Sequence, residues 1–276
     1  MRRIYLFPLA ACLVLAALTG CDADAGTNVH IGERHGGIKG SADIVALELA
    51  LADFTRVDLA HAARGTITRG DQYRVMIRVD DNIVDHLRVN RTGVQVEGNV
   101  ATLPDASADK LQIGLADGSY NNITFEVEIS MPDLRALNLT GVARTELSGF
   151  AVDHAVDLEI SGASNLSGEI ETGPLNCQLY GASNLDLGDF SCRDADIRLS
   201  GASRGTIRAT GTLDAALSGA SSLGYKGNPT LGKVSTSGAA SIKKQYIPSP
   251  FTYQKFKRIC REWSRDRGAI QRLRSG

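Results

Sequence analysis

Asp157, Asn176, Asp196 and Asp214 recur at near-equal intervals, and Arg198 stands beside Asp196. Carboxylates, amides and a guanidinium that converge on one groove are the equipment of polysaccharide cleavage, which needs one group to give a proton and another to take one. The plainer reading is that these positions face outward from strands and are polar because they are wet. A second set recurs beside them: Ser164 and Asn165, Ser183 and Asn184, Ser203 and Arg204, Ser221 and Ser222. Hydroxyls and amides stacked every ~4.8 Å could meet a linear glycan or an extended peptide. They could equally bond to one another and only stabilise the stack.

Other chemistries find little support. Of five cysteines, Cys12 lies in an apolar leader and Cys21 at its end, leaving Cys177, Cys192 and Cys260. No CxxC or Cys/His cluster has zinc spacing, and His30 and His35 sit in a Gly-rich linker, where histidines are usually just solvated. Five scattered histidines form no evident nucleophile–base pair. The glycines match neither a phosphate-binding loop nor a calcium nonapeptide. No cofactor and no metal are expected. A Cys177–Cys192 disulfide would close a loop of fifteen residues, out of step with the repeat described next, and the pairing stays open.

These candidates are positioned by a phrase that returns six times between Leu139 and Ile242, typified by Leu-Ser-Gly-Ala-Ser. Its glycines, at 141, 162, 181, 201, 219 and 238, are separated by 21, 19, 20, 18 and 19 residues. A fixed period near 20 marks a solenoid whose coils stack over a continuous core. Before each glycine, apolar residues alternate with polar ones, as in Leu158/Ile160 and Ile197/Leu199 against Asp157/Glu159 and Asp196/Arg198. Period two is that of a half-buried strand. Each Gly-Ala-Ser is then a corner between two strands, glycine allowing positive φ and close backbone approach. The expected fold is all-β, a single-stranded right-handed parallel β-helix of about 20 residues per coil with a less regular N-terminal β cap. At one coil per ~4.8 Å the six phrases would span roughly 24 Å.

Residues 1–21 read as a lipoprotein signal peptide: Arg2 and Arg3, an apolar run over 4–18, then Leu18-Thr19-Gly20-Cys21, in which Cys21 would accept the lipid. Residues 22–41 read as a flexible tether and 42–246 as the solenoid domain. Strands are expected over 54–59, 64–68, 73–79, 93–96, 110–115 and 123–129, with a helical turn over 81–87. Leu59–Ile67 echoes Leu199–Ile207, so coiling should begin before Leu139. From Lys243 on, ten Lys/Arg face only Glu262 and Asp266; 247–276 reads as a basic, disordered tail. A formal net charge of −1 for the whole chain gives no reason to expect a nucleic-acid partner.

With these pieces assembled, the chain resembles the auto-transporter adhesin head GIN domain family. The resemblance rests on Val57–Gly70, the lead-in Ile129–Leu134, the Ser-Gly repeats, Tyr225-Lys226-Gly227-Asn228-Pro229 and a last Ser237-Gly238, and it covers roughly residues 44–244. His61 departs from it, standing where the family favours glycine. The resemblance implies a β-helix in a cell-envelope lipoprotein and little about activity. The function expected is non-catalytic adhesion or envelope interaction, with a glycan or protein bound through the solenoid surface and the membrane met through the N-terminal lipid. The alternatives are a polysaccharide-cleaving enzyme on the same scaffold and a purely structural envelope protein.

Overall fold

Each repeat phrase turns at its glycine. Gly141, Gly162, Gly181, Gly201, Gly219 and Gly238 all have φ between +71° and +83°. The residue after each donates its N–H to the corner carbonyl one coil earlier, as in Ala182 to Gly162 at 2.8 Å and Ala220 to Gly201 at 2.7 Å. The fit leaves no room for side chains: a Cβ on Gly201 would lie 2.5 Å from the carbonyl oxygen of Gly181.

The computed structural model describes residues 37–90, 109–188 and 191–245. It is nearly all β, a solenoid of about 5 turns with an irregular N-terminal region. Strands before the corners (Ala136–Leu139, Val156–Ile160, the far half of Asn165–Leu179, Ser191–Leu199, Thr212–Leu217, Thr230–Thr236) stack in parallel. Strands after the corners form a second parallel stack. The register runs Leu139, Ile160, Leu179, Leu199, Leu217, Thr236, which reproduces the steps of 21, 19, 20, 18 and 19 read from the glycines. Leucines and isoleucines at alternate positions fill the interior with almost no exposure. Cys177 belongs to that inner column. Cys177 and Cys192 are both buried and free, not bonded to each other, and burial pushes the Cys192 thiol up to about 12 and that of Cys177 higher still.

Coiling does begin before Leu139. Arg56–Leu59 and Arg64–Arg69 lie parallel to Ala136–Leu139 and Arg144–Ala151, with Leu59 opposite Leu139 and Arg64 opposite Arg144. The chain then departs from spatial order. Lys110–Leu115 and Phe125–Met131 stack in parallel on the other side of the 56–69 coil, so the earlier coil is sandwiched between two later ones. Antiparallel strands finish this end: Arg74–Asp80 on Phe125–Met131, Ile44–Leu49 on Arg74–Asp80, and Leu87–Asn90 on Lys110–Leu115. They cover strand edges that would otherwise invite another chain. The expected turn is a 3-10 helix, Asp81–His86. Before it, the buried carboxylate of Asp80 accepts N–H groups from Ala42 at 2.8 Å and Thr124 at 2.6 Å. Ile38–Lys39, which composition assigns to the tether, pairs with Tyr120–Asn121.

The opposite end differs. Every residue of Thr230–Thr236 is exposed, including the apolar Leu231 (47%) and Val234 (40%). The signal segment, Cys21, most of the tether with His30 and His35, the expected strand over 93–96, Cys260 and the basic tail lie outside the described residues.

Replacing Gly201 by alanine forces a left-handed backbone on a residue with a Cβ and pushes it into Gly181. We expect a loss of about 2 kcal/mol or more in urea unfolding. Gly118→Ala, where the nearest atom would be 3.4 Å away, should change stability by less than about 0.5 kcal/mol.

Candidate functional site

The strands before the corners present their alternate residues outward, and the parallel register aligns them in rows. One row runs Lys110, Arg56, Ala136, Asp157, Asn176, Asp196, Asp214; the next runs Gln112, Asp58, Asn138, Glu159, Gln178, Arg198, Ala216. Ala136 is short and stands between the longer Arg56 and Asp157, so the face dips there. The result is an open groove of about 450 Å³, floored by Ala136–Asn138 and flanked by Arg56, Asp58 and Lys110 on one side and by Asp157 to Arg198 on the other.

The polar groups in this groove are held by one another. Asp58 accepts from Lys110 at 2.6 Å and from Gln112 at 3.1 Å. Asn176 donates to Asp157 at 2.8 Å, and Arg198 pairs with Asp196 at 3.0 Å. The sequence-derived outward column is therefore brought together as expected: Asp157, Asn176, Asp196 and Arg198 line one wall. Each of the three aspartates Asp58, Asp157 and Asp196 is engaged by an amide or a cation. Amides and paired carboxylates fixed on rigid strands are suited to hydrogen-bonding a hydroxyl-rich ligand.

The Ser/Asn ladder divides in two. Ser164, Ser183, Ser203 and Ser221 are buried. Ser183, Ser203 and Ser221 donate to the carbonyls of Tyr180, Ser200 and Ser218 within their own corners, and Ser164 to Gly141 a coil away. These hydroxyls satisfy corner carbonyls and do not face a ligand. The reason is the corner itself: the positive-φ glycine and the residues beside it point out, and the serine turns back in. Asn165, Asn184 and Ser222 are half-buried and Arg204 is exposed, so these four are the members of the ladder that solvent reaches.

Two further features stand beside these. His154 and Asp133 pair at 2.7 Å in a second, more open concavity of about 700 Å³ that Arg69, Glu171 and Arg193 also line. Their separation of 21 residues is one coil, the signal that could have joined them. A hydrogen bond to the Ala155 carbonyl, with the pairing to Asp133, raises the His154 pKa above its ordinary 6.5, against partial burial and Arg135. His61 is the second. It occupies the first corner, at φ +66°, and its carbonyl takes the N–H of Val142 just as the corner glycines' carbonyls do. Among the described residues no group of three or more His, Cys, Asp or Glu could hold a metal ion.

The family described as "Putative auto-transporter adhesin, head GIN domain" matches residues 53–229. The chain belongs to this family. Among solved structures, a "putative adhesin" from Bacteroides fragilis is 20% identical at a TM-score of 0.59, over 76% of this chain and 100% of its own. A "putative lipid binding protein" from Parabacteroides distasonis is 18% identical at a TM-score of 0.48, over 76% and 99%. A "putative adhesin" from Parabacteroides merdae is 15% identical at 0.46, again over 76% and 99%. The first likeness speaks to the fold, and none speaks to a ligand. No curated protein matches the chain. Membership of an adhesin-like family points to the cell surface or envelope.

His154 yields a pH test. Its folded pKa is raised, so its contribution is full below the unfolded value and is lost as pH rises through the folded value. Between about pH 5 and about pH 8, thermal stability of the parent should fall relative to that of His154→Gln, whose corresponding step is absent.

Proposed function

We propose that this protein is a non-catalytic, adhesin-like envelope protein that binds a glycan along the groove between Arg56 and Arg198. The observation that carries this reading is the groove itself: the small Ala136 opens a trough that amides and paired carboxylates line. Its floor is interior sheet, with strands bonded on both sides of Ala136–Leu139. An extended peptide adding to a strand edge finds no edge there. A hydroxyl-rich chain needs only side-chain partners, and the rows supply them.

The family and the neighbouring adhesin names favour a binding role over an enzymatic one. The engaged aspartates favour it too, since Asp157 and Asp196 are tied to Asn176 and Arg198. The test is to pass the purified protein over bacterial and host polysaccharides and measure both retention and new reducing ends. Retention without new ends is expected. Asn176→Ala combined with Gln178→Ala should weaken retention about tenfold, or ~1.4 kcal/mol. New ends that disappear in Asp196→Asn would overturn the non-enzyme reading.

Attachment completes the proposal. The Leu18–Cys21 phrase supports lipid anchoring through Cys21, with the residues between it and the paired Ile38–Lys39 as tether. Cys21→Ser should move the protein from the membrane fraction to the soluble fraction; if it stays with membranes, the anchor lies elsewhere.

A further inference from the structure

We infer that the N-terminal end of the outward face carries a subsite for a single sugar ring, built by Asn90, Asn138, Thr140, Arg88 and His61. The inference rests on the glycan reading of the groove and deepens it by fixing where one ring is held. The subsite is a hollow of about 240 Å³ that shares Asp58 and Asn138 with the groove, so the two adjoin.

Unsatisfied acceptors are the first argument. Asn90 is only 4% exposed; its amide nitrogen donates to Gln112 at 3.1 Å, and its Oδ1 has no partner among the described residues. The Oδ1 of Asn138 is likewise buried and unpartnered among the described residues. Both residues line the hollow. Buried carbonyl oxygens are almost always hydrogen-bonded, because leaving one unmade forfeits its solvation. Both oxygens are closed to water, so a ligand that brings donors would reach them through a turn of the two amides toward the hollow.

The first corner gives an independent argument. Six of the seven corners use glycine at positive φ, while this one places a histidine there at φ +66°. A residue with a Cβ is uncommon in that conformation, although histidine adopts it more readily than most, and it persists where its surroundings hold the side chain. The imidazole is fixed. Its Nδ1 accepts the Leu115 N–H at 3.2 Å, and its ring stands edge-on to Tyr120, with centroids 6.5 Å apart. With Nδ1 accepting, the neutral ring carries its hydrogen on Nε2 as a donor.

The lining then describes its ligand. Arg88, Thr140 and His61 can donate, Asn90 and Asn138 accept, and Ala60 and Gly114 leave a small apolar patch. A Cβ on Gly114 would come within 3.2 Å of both Ala60 and His61, so a side chain there would crowd the hollow. Asp58 is already engaged by Lys110, and Arg88 opposes a cation. A ring bearing hydroxyls that both give and accept, with C–H faces between them, fits this set.

The test titrates the purified protein with free glucose, galactose, mannose and N-acetylglucosamine, then with their short oligomers, while the side-chain amide NMR signals are followed. At least one monosaccharide should shift the Asn90 and Asn138 amides. Asn138→Leu should lose about tenfold or more in affinity with a melting temperature at or above the parent's, since an orphaned acceptor has gone. Thr140→Val, which keeps the side-chain shape, should weaken the same monosaccharide. Asn176→Ala should weaken the oligomers alone. Oligomers that bind Asn138→Leu and Thr140→Val as well as the parent, with no monosaccharide moving those amides, would overturn the subsite and leave the groove standing. If no saccharide binds, or only an extended peptide does, both readings fall.

Discussion

The approach of one corner backbone to the next sets everything else in this molecule. Each corner carbonyl must receive an N–H from the following coil at about 2.8 Å, and a Cβ in that gap would collide with it. Glycine solves both the sterics and the left-handed turn. Once corners are locked in this ladder, the flanking strands have no freedom of register. A slip of one residue would turn Leu158, Ile160, Leu179 and their equivalents out of the core. The same lock aligns Asp157 with Asn176 and Asp196, so that outward residues far apart in sequence become neighbours in a row. The groove is thus a by-product of corner packing, shaped only by the lengths of side chains that the core does not use.

The repeat made much of this legible from sequence. Glycine spacings carried the coil lengths, and alternation before each glycine showed which residues face in. What alternation before the glycine does not describe is the corner itself. Tyr180, Gly181 and Ala182 all point outward before Ser183 turns in, because positive φ breaks the period of two. The serines of the ladder consequently seal carbonyls instead of meeting a ligand, leaving Asn165, Asn184, Arg204 and Ser222 on the surface. The N-terminal end was harder still. Asn90 and Gln112 meet through antiparallel pairing of an inserted segment, where no periodicity tells which strands will be neighbours. His61 showed itself only as a departure from the pattern, since a histidine says nothing of its own backbone angle.

Two faces of the solenoid are therefore unlike in kind. The corner edge is nearly all backbone and self-satisfied, so it contributes stiffness. The outward face of the strands before the corners is built of side chains whose partners are mostly other side chains at its surface, and these can exchange for a ligand at small cost. A rigid scaffold bearing exchangeable polar pairs suits an adhesin-like protein, whose contacts have to be broad without deforming the body that carries them.

The sandwiching of the 56–69 coil between 110–131 and 136–151 has a kinetic side. As the chain is synthesised, Arg56–Leu59 emerges without either of its native neighbours. Asp58 waits for Gln112, 54 positions on in the chain, and the coil gains its second face only when Leu137 and Leu139 arrive. From there on, each coil is added beside its immediate predecessor, about twenty residues at a time, with short closures that cost little entropy. The molecule should hence form in two tempos: a slow, non-local start at the antiparallel end, and a rapid local winding toward Lys244.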